Sequence, residues 1–349
     1  MIIVMKRDAE KKDLNNVVES IEEAGFKVHL SRGTERTIVG VIGDERLLDK
    51  KHYESFPGVE EIVPILKPYK LSSKDFHPEG TTIEIGNVTV GSDEVVVIAG
   101  PCSVEGWDQL RTTAGEVKNG GAKILRGGAF KPRTSPYSFQ GLGEEGLEML
   151  DTVGEETGMP VITEVMGPAQ VDLVCQYADI LQIGARNMQN YNLLQAVGET
   201  GHPVMLKRGF SNTIDELLLA AEYIMSNGNY NVMLCERGIR TFDSKYTRNT
   251  LDINAVPVLK DLSHLPVIVD PSHATGKWEL VLAASRAAVA AGADGLIIEV
   301  HPKPTEALSD GRQSLLPTRF NTLMQQISHI AEAIDRRVEV PALKEPAGV

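Results

Sequence analysis

The chain has 349 residues, 42% of them hydrophobic and 24% charged, which suits a globular protein with one large and one small domain. Its net charge of -13 argues against nucleic acid or an anionic membrane as a partner. The three cysteines form no disulfide framework and indicate a reducing cytoplasm. We expect neither a signal peptide nor a membrane span, since no apolar run is long enough.

The first 70 residues predict a small domain in which strands and helices alternate. Apolar patterns place strands at 2–5, 27–31, 37–42 and 59–65, and helices at 12–24 and 45–56. The order β-α-β-β-α-β is typical of a ferredoxin-like fold, and nothing in it is typical of catalysis. A polar linker follows at 71–80, and then a hairpin at 82–90 with Gly86 and Asn87 at its turn.

Eight strand-like runs then alternate with eight helical patterns to the end of the chain. The strands are expected at 95–99, 122–126, 160–164, 179–183, 203–207, 231–236, 266–270 and 294–299. The helices are expected near 107–119, 143–157, 168–177, 190–198, 213–226, 252–262, 278–291 and 317–336. This repeat predicts a (β/α)8 TIM barrel over 81–338, with the hairpin at its base and a flexible tail over 339–349. A doubly wound open sheet is the alternative; we prefer the barrel because conspicuous residues follow nearly every strand.

The loop after the second barrel strand concentrates positive charge. Arg126, Lys131 and Arg133 fall within ten residues, together with the hydroxyls of Thr134 and Ser135. Guanidinium forks, an ammonium group and hydroxyls suit the oxygens of a phosphate, and a solvated basic loop is the alternative. Cations also end other predicted strands, and the full set is Arg126, Lys131, Arg133, Arg186, Lys207 and Arg237. Because one phosphate needs fewer cations, two phosphates and a carboxylate are the better match.

A second set of strand-end residues can bind a metal ion. It consists of Cys102, His273, Glu299 and Asp310, which follow the first, seventh and eighth strands. These strands are neighbours in a closed barrel, and one sulfur, one nitrogen and two carboxylates suit Mn, Fe, Co or Zn. Each residue alone also fits a structural role. Cys175 and Cys235 are interpreted as inert buried thiols.

These residues resemble 3-deoxy-D-arabino-heptulosonate 7-phosphate (DAHP) synthase, the first enzyme of the shikimate pathway, in the subfamily with an N-terminal ferredoxin-like regulatory domain. The resemblance covers nearly the whole chain. Its motifs are Gly100-Pro101-Cys102-Ser103, Lys131-Pro132-Arg133-Thr134-Ser135, Gly184-Ala185-Arg186-Asn187, Leu206-Lys207-Arg208-Gly209, Cys235-Glu236-Arg237-Gly238, Asp270-Pro271-Ser272-His273 and Ser309-Asp310-Gly311.

The resemblance implies roles for these residues. The divalent metal would be held by Cys102, His273, Glu299 and Asp310. Phosphoenolpyruvate would be bound by Arg126, Lys131, Arg186, Lys207 and Arg237, with Ala185 beside Arg186. Erythrose 4-phosphate would face Lys131, Pro132, Arg133, Thr134 and Ser135. Lys131 would supply a proton to the forming alkoxide, and Glu164 and His273 are candidates to position the attacking water.

Other functions stay open. 3-Deoxy-D-manno-octulosonate 8-phosphate synthase, which takes arabinose 5-phosphate, is similar at the phosphoenolpyruvate site but has an Ala-Asn-Arg-Ser-Ser type of segment at Pro132 to Ser135. A metal-dependent aldolase for another phosphosugar and an inactive phosphate-binding barrel are further alternatives. The resemblance implies that the small domain binds tyrosine or phenylalanine as a feedback inhibitor, with a folding or oligomerisation module as the alternative. It also implies a homotetramer.

Overall fold

The computed structural model describes residues 1–33, 36–43, 48–63, 68–133 and 135–341. The chain divides into two compact units. The first unit is Met1–Thr81 together with Asp261–His264, and the second is Thr82–Lys260 together with the chain from Leu265 onward.

The first unit contains a four-stranded antiparallel sheet and two helices. Its elements are β1 (Ile2–Met5), α1 (Lys11–Glu23), β2 (Lys27–Arg32), β3 (Thr37–Ile42), α2 (Lys50–Glu54) and β4 (Val59–Val63). The strand order is β2-β3-β1-β4, which confirms the predicted ferredoxin-like fold. Leu14, Val17 and Ile21 recur at helical spacing and pack α1 onto Ile3 and Val39 of the sheet.

One element of the first unit is shorter than the sequence predicts. The helix expected at 45–56 spans only Lys50–Glu54 because the Asp49 side chain accepts a hydrogen bond from Lys51 N and so caps its start. The fourth strand, predicted at 59–65, is described over Val59–Val63. Residues 45–47 and 64–65 of these two predictions lie outside the described residues.

The second unit begins with a hairpin and continues as a closed parallel barrel. The hairpin strands are β5 (Ile83–Ile85) and β6 (Val88–Val90). The barrel strands are β7 (Val96–Gly100), β8 (Ile124–Arg126), β9 (Val161–Val165), β10 (Ile180–Ile183), β11 (Val204–Lys207), β12 (Val232–Glu236), β13 (Val267–Val269) and β14 (Gly295–Glu299). Each strand pairs in parallel with the next, and β14 pairs with β7 to close the barrel. The prediction of a TIM barrel is confirmed, and the open sheet is excluded.

Helices follow the barrel strands close to the predicted positions. They are α3 (Trp107–Asn119), α4 (Glu144–Thr157), α5 (Val171–Val174), α6 (Tyr191–Gly198), α7 (Ile214–Ser226), α8 (Ala255–Leu262), α9 (Pro271–Thr275), α10 (Trp278–Ala290) and α11 (Pro317–Glu332). The helix expected at 168–177 is instead a 3-10 turn over Pro168–Gln170 followed by the short α5. None of the helices in the described part of the chain is long and apolar enough to cross a membrane.

The hairpin fills one end of the barrel. Its apolar side chains Ile83, Ile85, Val88 and Val90 belong to the same buried cluster as residues from the first positions of the strands, such as Ile124. The amino-terminal half of the barrel is therefore packed with apolar side chains. The carboxyl ends of the strands are left for polar side chains.

A buried histidine in the first unit fixes the segment before the hairpin. His264 Nδ1 lies 2.6 Å from Thr81 Oγ1, and its Nε2 lies 2.6 Å from the carbonyl oxygen of Leu71. A carbonyl oxygen only accepts, so Nε2 carries the proton and Nδ1 accepts from the Thr81 hydroxyl. Burial lowers the pKa of His264 to about 4. The imidazole is therefore neutral in the folded protein at neutral pH.

This lowered pKa predicts a loss of stability in acid. Between pH 6.5 and 4 the unfolded chain binds a proton at His264 that the folded chain does not, so the free energy of unfolding falls as the pH falls. We expect the advantage of the parent over His264→Gln to shrink by about 3 kcal/mol between pH 7.5 and pH 4. Urea unfolding of both proteins at each pH measures this difference, and a constant difference would contradict the prediction.

Candidate active site

The closure of the barrel brings together side chains that are far apart in sequence. In the β14–β7 pair Glu299 lies opposite Gly100, so the loop after β7 runs beside the loop after β14. Cys102, His273, Glu299 and Asp310 have ligand atoms that all lie within 4.8 Å of one another. We call these four residues the ligand cluster. One thiol, one imidazole and two carboxylates are a donor set suited to a first-row divalent metal.

The histidine of the ligand cluster is oriented by a buried carboxylate. His273 Nδ1 lies 2.6 Å from Asp270 Oδ2, and the His273 backbone N–H donates to Asp270 Oδ1 at 2.9 Å. Lys207 Nζ donates to the same Oδ2 at 2.6 Å. Burial lowers the pKa of His273, so its Nδ1–H donates to Asp270 and its Nε2 keeps a free electron pair. A metal-binding histidine needs this arrangement.

The remaining members of the ligand cluster have different ionisation states. Burial alone would raise the pKa of Glu299, but the positive charge of Arg126 beside it lowers that pKa, so the carboxylate is ionised. Burial raises the pKa of the Cys102 thiol to about 12. The Cys102 thiol is therefore protonated until a cation binds to it, since a metal ion takes up the thiolate.

Two of the predicted cations lie directly against the ligand cluster. Arg126 Nη1 lies 2.9 Å from Glu299 Oε1, and its Nη2 donates to the carbonyl oxygen of Cys102 at 3.1 Å. Lys131 Nζ donates to the same carbonyl oxygen at 2.8 Å and lies 3.2 Å from Cys102 Sγ. Arg126 Nε is buried and has no hydrogen-bond partner among the residues that the structure describes. Because an unpaired buried donor is costly, this atom indicates a place for an acceptor from a ligand.

Two further predicted cations lie around one aromatic ring together with a third arginine. The sequence analysis had assigned neither the ring nor this third arginine to the site. Arg237 lies 4.7 Å and Arg186 lies 5.6 Å from the centre of the Phe210 ring, and Arg240 lies 4.8 Å from it. Burial lowers the pKa of Arg237, so its positive charge is poorly compensated. Three guanidinium groups around one ring repel one another unless an anion lies among them. Phe210 and Arg240 follow the predicted fifth and sixth strands, and this position after a strand is the sequence feature that could have identified them as site residues.

Neighbouring residues Lys207 and Arg208 serve different networks. Lys207 pairs with Asp270, whereas Arg208 Nη1 lies 2.9 Å from both Glu236 Oε2 and Asp252 Oδ2. Successive residues at a strand end point to opposite faces, which separates the two cations. Arg208 is thus part of a separate ion-pair network with Glu236 and Asp252.

The other predicted site residues are less closely tied to the ligand cluster. Arg133 Nε donates to the Phe139 carbonyl oxygen at 3.1 Å, and Pro132 before it is half-buried. Ser135 is exposed, and Thr134 lies outside the described residues. Ala185 is half-buried in a 3-10 turn next to Arg186. Glu164 accepts a hydrogen bond from Gln182 Nε2 at 3.5 Å and leaves no room for a side chain at Gly184.

The other two cysteines lie apart from the ligand cluster. Cys235 is fully buried in the barrel core, where burial raises its pKa. Cys175 was predicted to be buried, but the structure leaves it half-buried, because the short α5 ends at Val174 just before it.

Comparison with known protein families matches both units. The model described as "DAHP synthetase I family" matches residues 70–336, and the model described as "DAHP synthase ferredoxin-like domain" matches residues 1–67. The chain belongs to the DAHP synthetase I family. It is therefore an enzyme of the DAHP synthase class, a transferase-type aldolase, as the motifs predict.

A member of this family matches nearly the whole length of the chain. The phospho-2-dehydro-3-deoxyheptonate aldolase of Thermotoga maritima is 53% identical over 338 residues, which are 97% of this chain and all of that protein. A crystal structure of that aldolase (DAHP synthase) has a TM-score of 0.77 at 52% identity and covers 97% of this chain and 99% of the solved one. A truncated form of the T. maritima synthase has a TM-score of 0.73 at 51% identity and covers 78% of this chain and 99% of its own.

The alternative considered from the sequence is a more distant relative. The 2-dehydro-3-deoxyphosphooctonate aldolase of Syntrophobacter fumaroxidans is 34% identical over 265 residues, which are 71% of this chain and 91% of that protein. The match therefore favours the heptonate branch of the family over 97% of the chain.

The close approach of β7 and β8 predicts the effect of a small substitution. A Cβ atom at Gly100 would lie 2.1 Å from the Arg126 carbonyl oxygen, and the backbone there has a φ of +153°. We expect Gly100→Ala to displace Arg126 and to lower catalytic turnover by about 100-fold, since an error of 1 Å at a catalytic group has that effect. Steady-state kinetics of DAHP formation measure it.

A matched control comes from the same loop. Gly106 has a φ of +157° and, in the described part of the chain, no neighbouring atom within 4 Å of its Cβ position, so Gly106→Ala adds similar backbone strain without the clash. We expect this variant to keep its turnover within about threefold. Equal losses in both variants would show that strain, rather than the position of Arg126, governs activity.

Proposed function

We propose that the chain condenses phosphoenolpyruvate with D-erythrose 4-phosphate and water to give DAHP and phosphate. This reaction is the first step of the shikimate pathway to aromatic amino acids. The single observation that carries the proposal is the meeting of the ligand cluster with Arg126, Lys131 and Lys207 at one end of the barrel. A site that combines a metal-binding donor set with several cations suits the joining of two anionic substrates.

The donor set supports a divalent transition metal, Mn, Fe, Co or Zn, as the cofactor. Cys102, His273, Glu299 and Asp310 would hold it, and the Nε2 electron pair of His273 is already directed away from Asp270. The thiol makes Mg an unsuitable ion, because Mg prefers oxygen ligands. When bound, the ion would polarise the aldehyde of the sugar phosphate as a Lewis acid.

The cations would hold phosphoenolpyruvate in place. We assign its phosphate to Arg186 and Arg237 around Phe210, and its carboxylate to Lys207 and Arg126, whose Nε lacks a partner. Bidentate guanidinium contacts fix both position and orientation of a planar anion. Orientation of the two substrates then supplies much of the rate enhancement.

The remaining groups would move protons. C3 of phosphoenolpyruvate attacks the aldehyde carbon, and Lys131 donates a proton or hydrogen bond to the oxygen that becomes an alkoxide. Water adds at C2, and phosphate leaves by cleavage of the C–O bond. Glu164 and His273 are the candidates to position this water. Lys131 Nζ, 3.2 Å from Cys102 Sγ, supports its place beside the reacting aldehyde.

The segment from Pro132 to Ser135 would bind erythrose 4-phosphate, including Arg133 and Thr134. The 53% identity to a heptonate aldolase over nearly the whole chain supports the four-carbon sugar over arabinose 5-phosphate. The presence of all four ligand residues, Cys102, His273, Glu299 and Asp310, in one cluster supports an active enzyme over an inactive barrel.

The choice of sugar is tested by release of phosphate from phosphoenolpyruvate. We expect turnover with erythrose 4-phosphate to exceed turnover with arabinose 5-phosphate by at least roughly tenfold. Treatment with EDTA should lower turnover by roughly 100-fold, and added Mn should restore it, because Lewis-acid polarisation contributes several kcal/mol. Preference for the five-carbon sugar would refute the substrate assignment, and full activity in EDTA would refute the metal role.

We also propose that the ferredoxin-like unit is regulatory and binds tyrosine or phenylalanine as a feedback inhibitor. The match of residues 1–67 to the ferredoxin-like domain of DAHP synthases supports this role. We assign the protein to the cytoplasm and to a homo-oligomer, with a homotetramer as the expected state.

Inhibition by an amino acid is tested on the full chain and on a variant without residues 1–70. A truncated form of the T. maritima synthase has been solved, which supports the folding of such a variant. We expect tyrosine or phenylalanine at millimolar concentration to inhibit the full chain at least roughly tenfold, a typical coupling between two sites, and not the truncated one. Inhibition that survives the deletion would exclude regulation by this unit.

A further inference from the structure

A guanidinium group outside the predicted site contacts one member of the ligand cluster. Arg248 lies in the segment between β12 and α8, and its Nη1 lies 3.3 Å from Asp310 Oδ1. The other carboxylate oxygen, Oδ2, lies 3.4 Å from Cys102 Sγ. Arg248 therefore holds one oxygen of Asp310, while the other oxygen faces the ligand cluster.

The same nitrogen reaches a second carboxylate through a buried amide. Arg248 Nη1 donates to Gln313 Oε1 at 3.1 Å, and Gln313 Nε2 donates to Glu299 Oε2 at 2.8 Å. Because a guanidinium only donates, the bond from Arg248 fixes the Gln313 amide with its NH2 group toward Glu299. The other Glu299 oxygen is held by Arg126. Both carboxylates of the ligand cluster thus depend on the position of Arg248.

The backbone at Arg248 is bound to the helix that carries His273. Arg248 N donates to the Thr275 carbonyl oxygen at 2.9 Å, and Asn249 N donates to the Ala274 carbonyl oxygen at 2.8 Å. Asn249 Nδ2 also donates to the His273 carbonyl oxygen at 3.0 Å. A Cβ atom at Gly276, where φ is +66°, would lie 2.5 Å from the Arg248 Cβ. The backbone and Cβ of Arg248 are therefore held at a fixed position relative to His273.

Asp310 needs such support because of its own backbone. It has a φ of +49° and directly precedes the short 3-10 turn Gly311–Gln313, so no regular element sets its side-chain direction. The pair of Arg248 and Asp310 is partly exposed, with side-chain exposures of 39% and 25%. Partly exposed ion pairs contribute little to folding stability, so this contact matters chiefly for orientation.

We propose that Arg248 is a positioning residue that sets the Asp310 carboxylate, and through Gln313 the Glu299 carboxylate, relative to His273 for metal binding. This inference rests on the proposed metal role of the ligand cluster. Residues that orient metal ligands typically change metal affinity by 10- to 100-fold when they are removed.

A neighbouring cation provides a matched control. Lys245 and Arg248 line one cavity of about 470 Å³ together with Asp310 and Gln313. Lys245 Nζ lies 5.2 Å from the centre of the Tyr246 ring. Lys245→Met and Arg248→Met each remove one positive charge from this cavity, but only the second removes the hydrogen bonds to Asp310 and Gln313.

The test compares metal affinity in the full-length protein. The metal-free parent and both variants are titrated with Mn²⁺ and Co²⁺ against a chromophoric chelator, and the Co²⁺ absorption bands report the ligand geometry. We expect Arg248→Met to weaken binding at least tenfold and to shift the Co²⁺ bands, while Lys245→Met stays within about twofold of the parent. Thermal unfolding of the metal-free proteins should differ little between the two variants.

Three outcomes would overturn the inference. They are parent-like affinity and Co²⁺ bands in Arg248→Met, an equal loss in both variants, and parent-like binding in Arg248→Lys should Arg248→Met fail to fold. Arg248→Lys keeps the charge, but its ammonium nitrogen lies one bond closer to the backbone than Nη1 and does not reach both acceptors, so we expect it to bind metal more weakly than the parent. If the parent itself binds neither ion, the proposed metal role fails as well, which separates the two failures.

Discussion

The pairing of β14 with β7 is the constraint on which the site depends. It places Glu299 opposite Gly100 and so brings Cys102, from the first strand loop, beside residues of the seventh and eighth strand loops. In an open sheet β7 and β14 would be the two edge strands on opposite sides, and the Cys102 sulfur would be separated from the His273 imidazole. Gly100 makes the closure compatible with catalysis because it leaves room for the backbone of Arg126 in the neighbouring strand.

Buried charges at this end of the barrel are largely paired. Asp270 is shared by Lys207 and His273, and Glu299 is paired with Arg126. Pairing of this kind offsets the cost of removing ions from water and holds the groups in place before any substrate arrives. Within the described ranges, the exceptions include Arg126 Nε, which has no hydrogen-bond partner there, and the guanidinium of Arg237, whose pKa is lowered by burial. These exceptions are the groups to which we assign the anionic substrate.

The two ends of the barrel have different roles, since one is packed with apolar side chains and the other carries the polar groups of the site. The hairpin closes the amino-terminal half with apolar side chains such as Ile83 and Val90, so the polar groups at the other end face a packed interior. Because successive side chains along a strand point to opposite faces, two neighbouring residues at the end of one strand also have different partners. Lys207 points to Asp270 in the site, whereas Arg208 joins Glu236 in a buried ion-pair network.

The amino-acid sequence alone determined the ferredoxin-like and barrel folds and the ligand cluster, because hydrophobic periodicity and strand-end residues are local features. The helices expected at 45–56 and 168–177 were less well predicted, and the start of the first is decided by the cap at Asp49. Only the tertiary structure showed that three arginines surround the Phe210 ring. Only it showed that Arg248 donates hydrogen bonds to Asp310 and Gln313. Arg248 and Asp310 are 62 residues apart, and no sequence pattern encodes such a contact, since it arises only when the barrel folds.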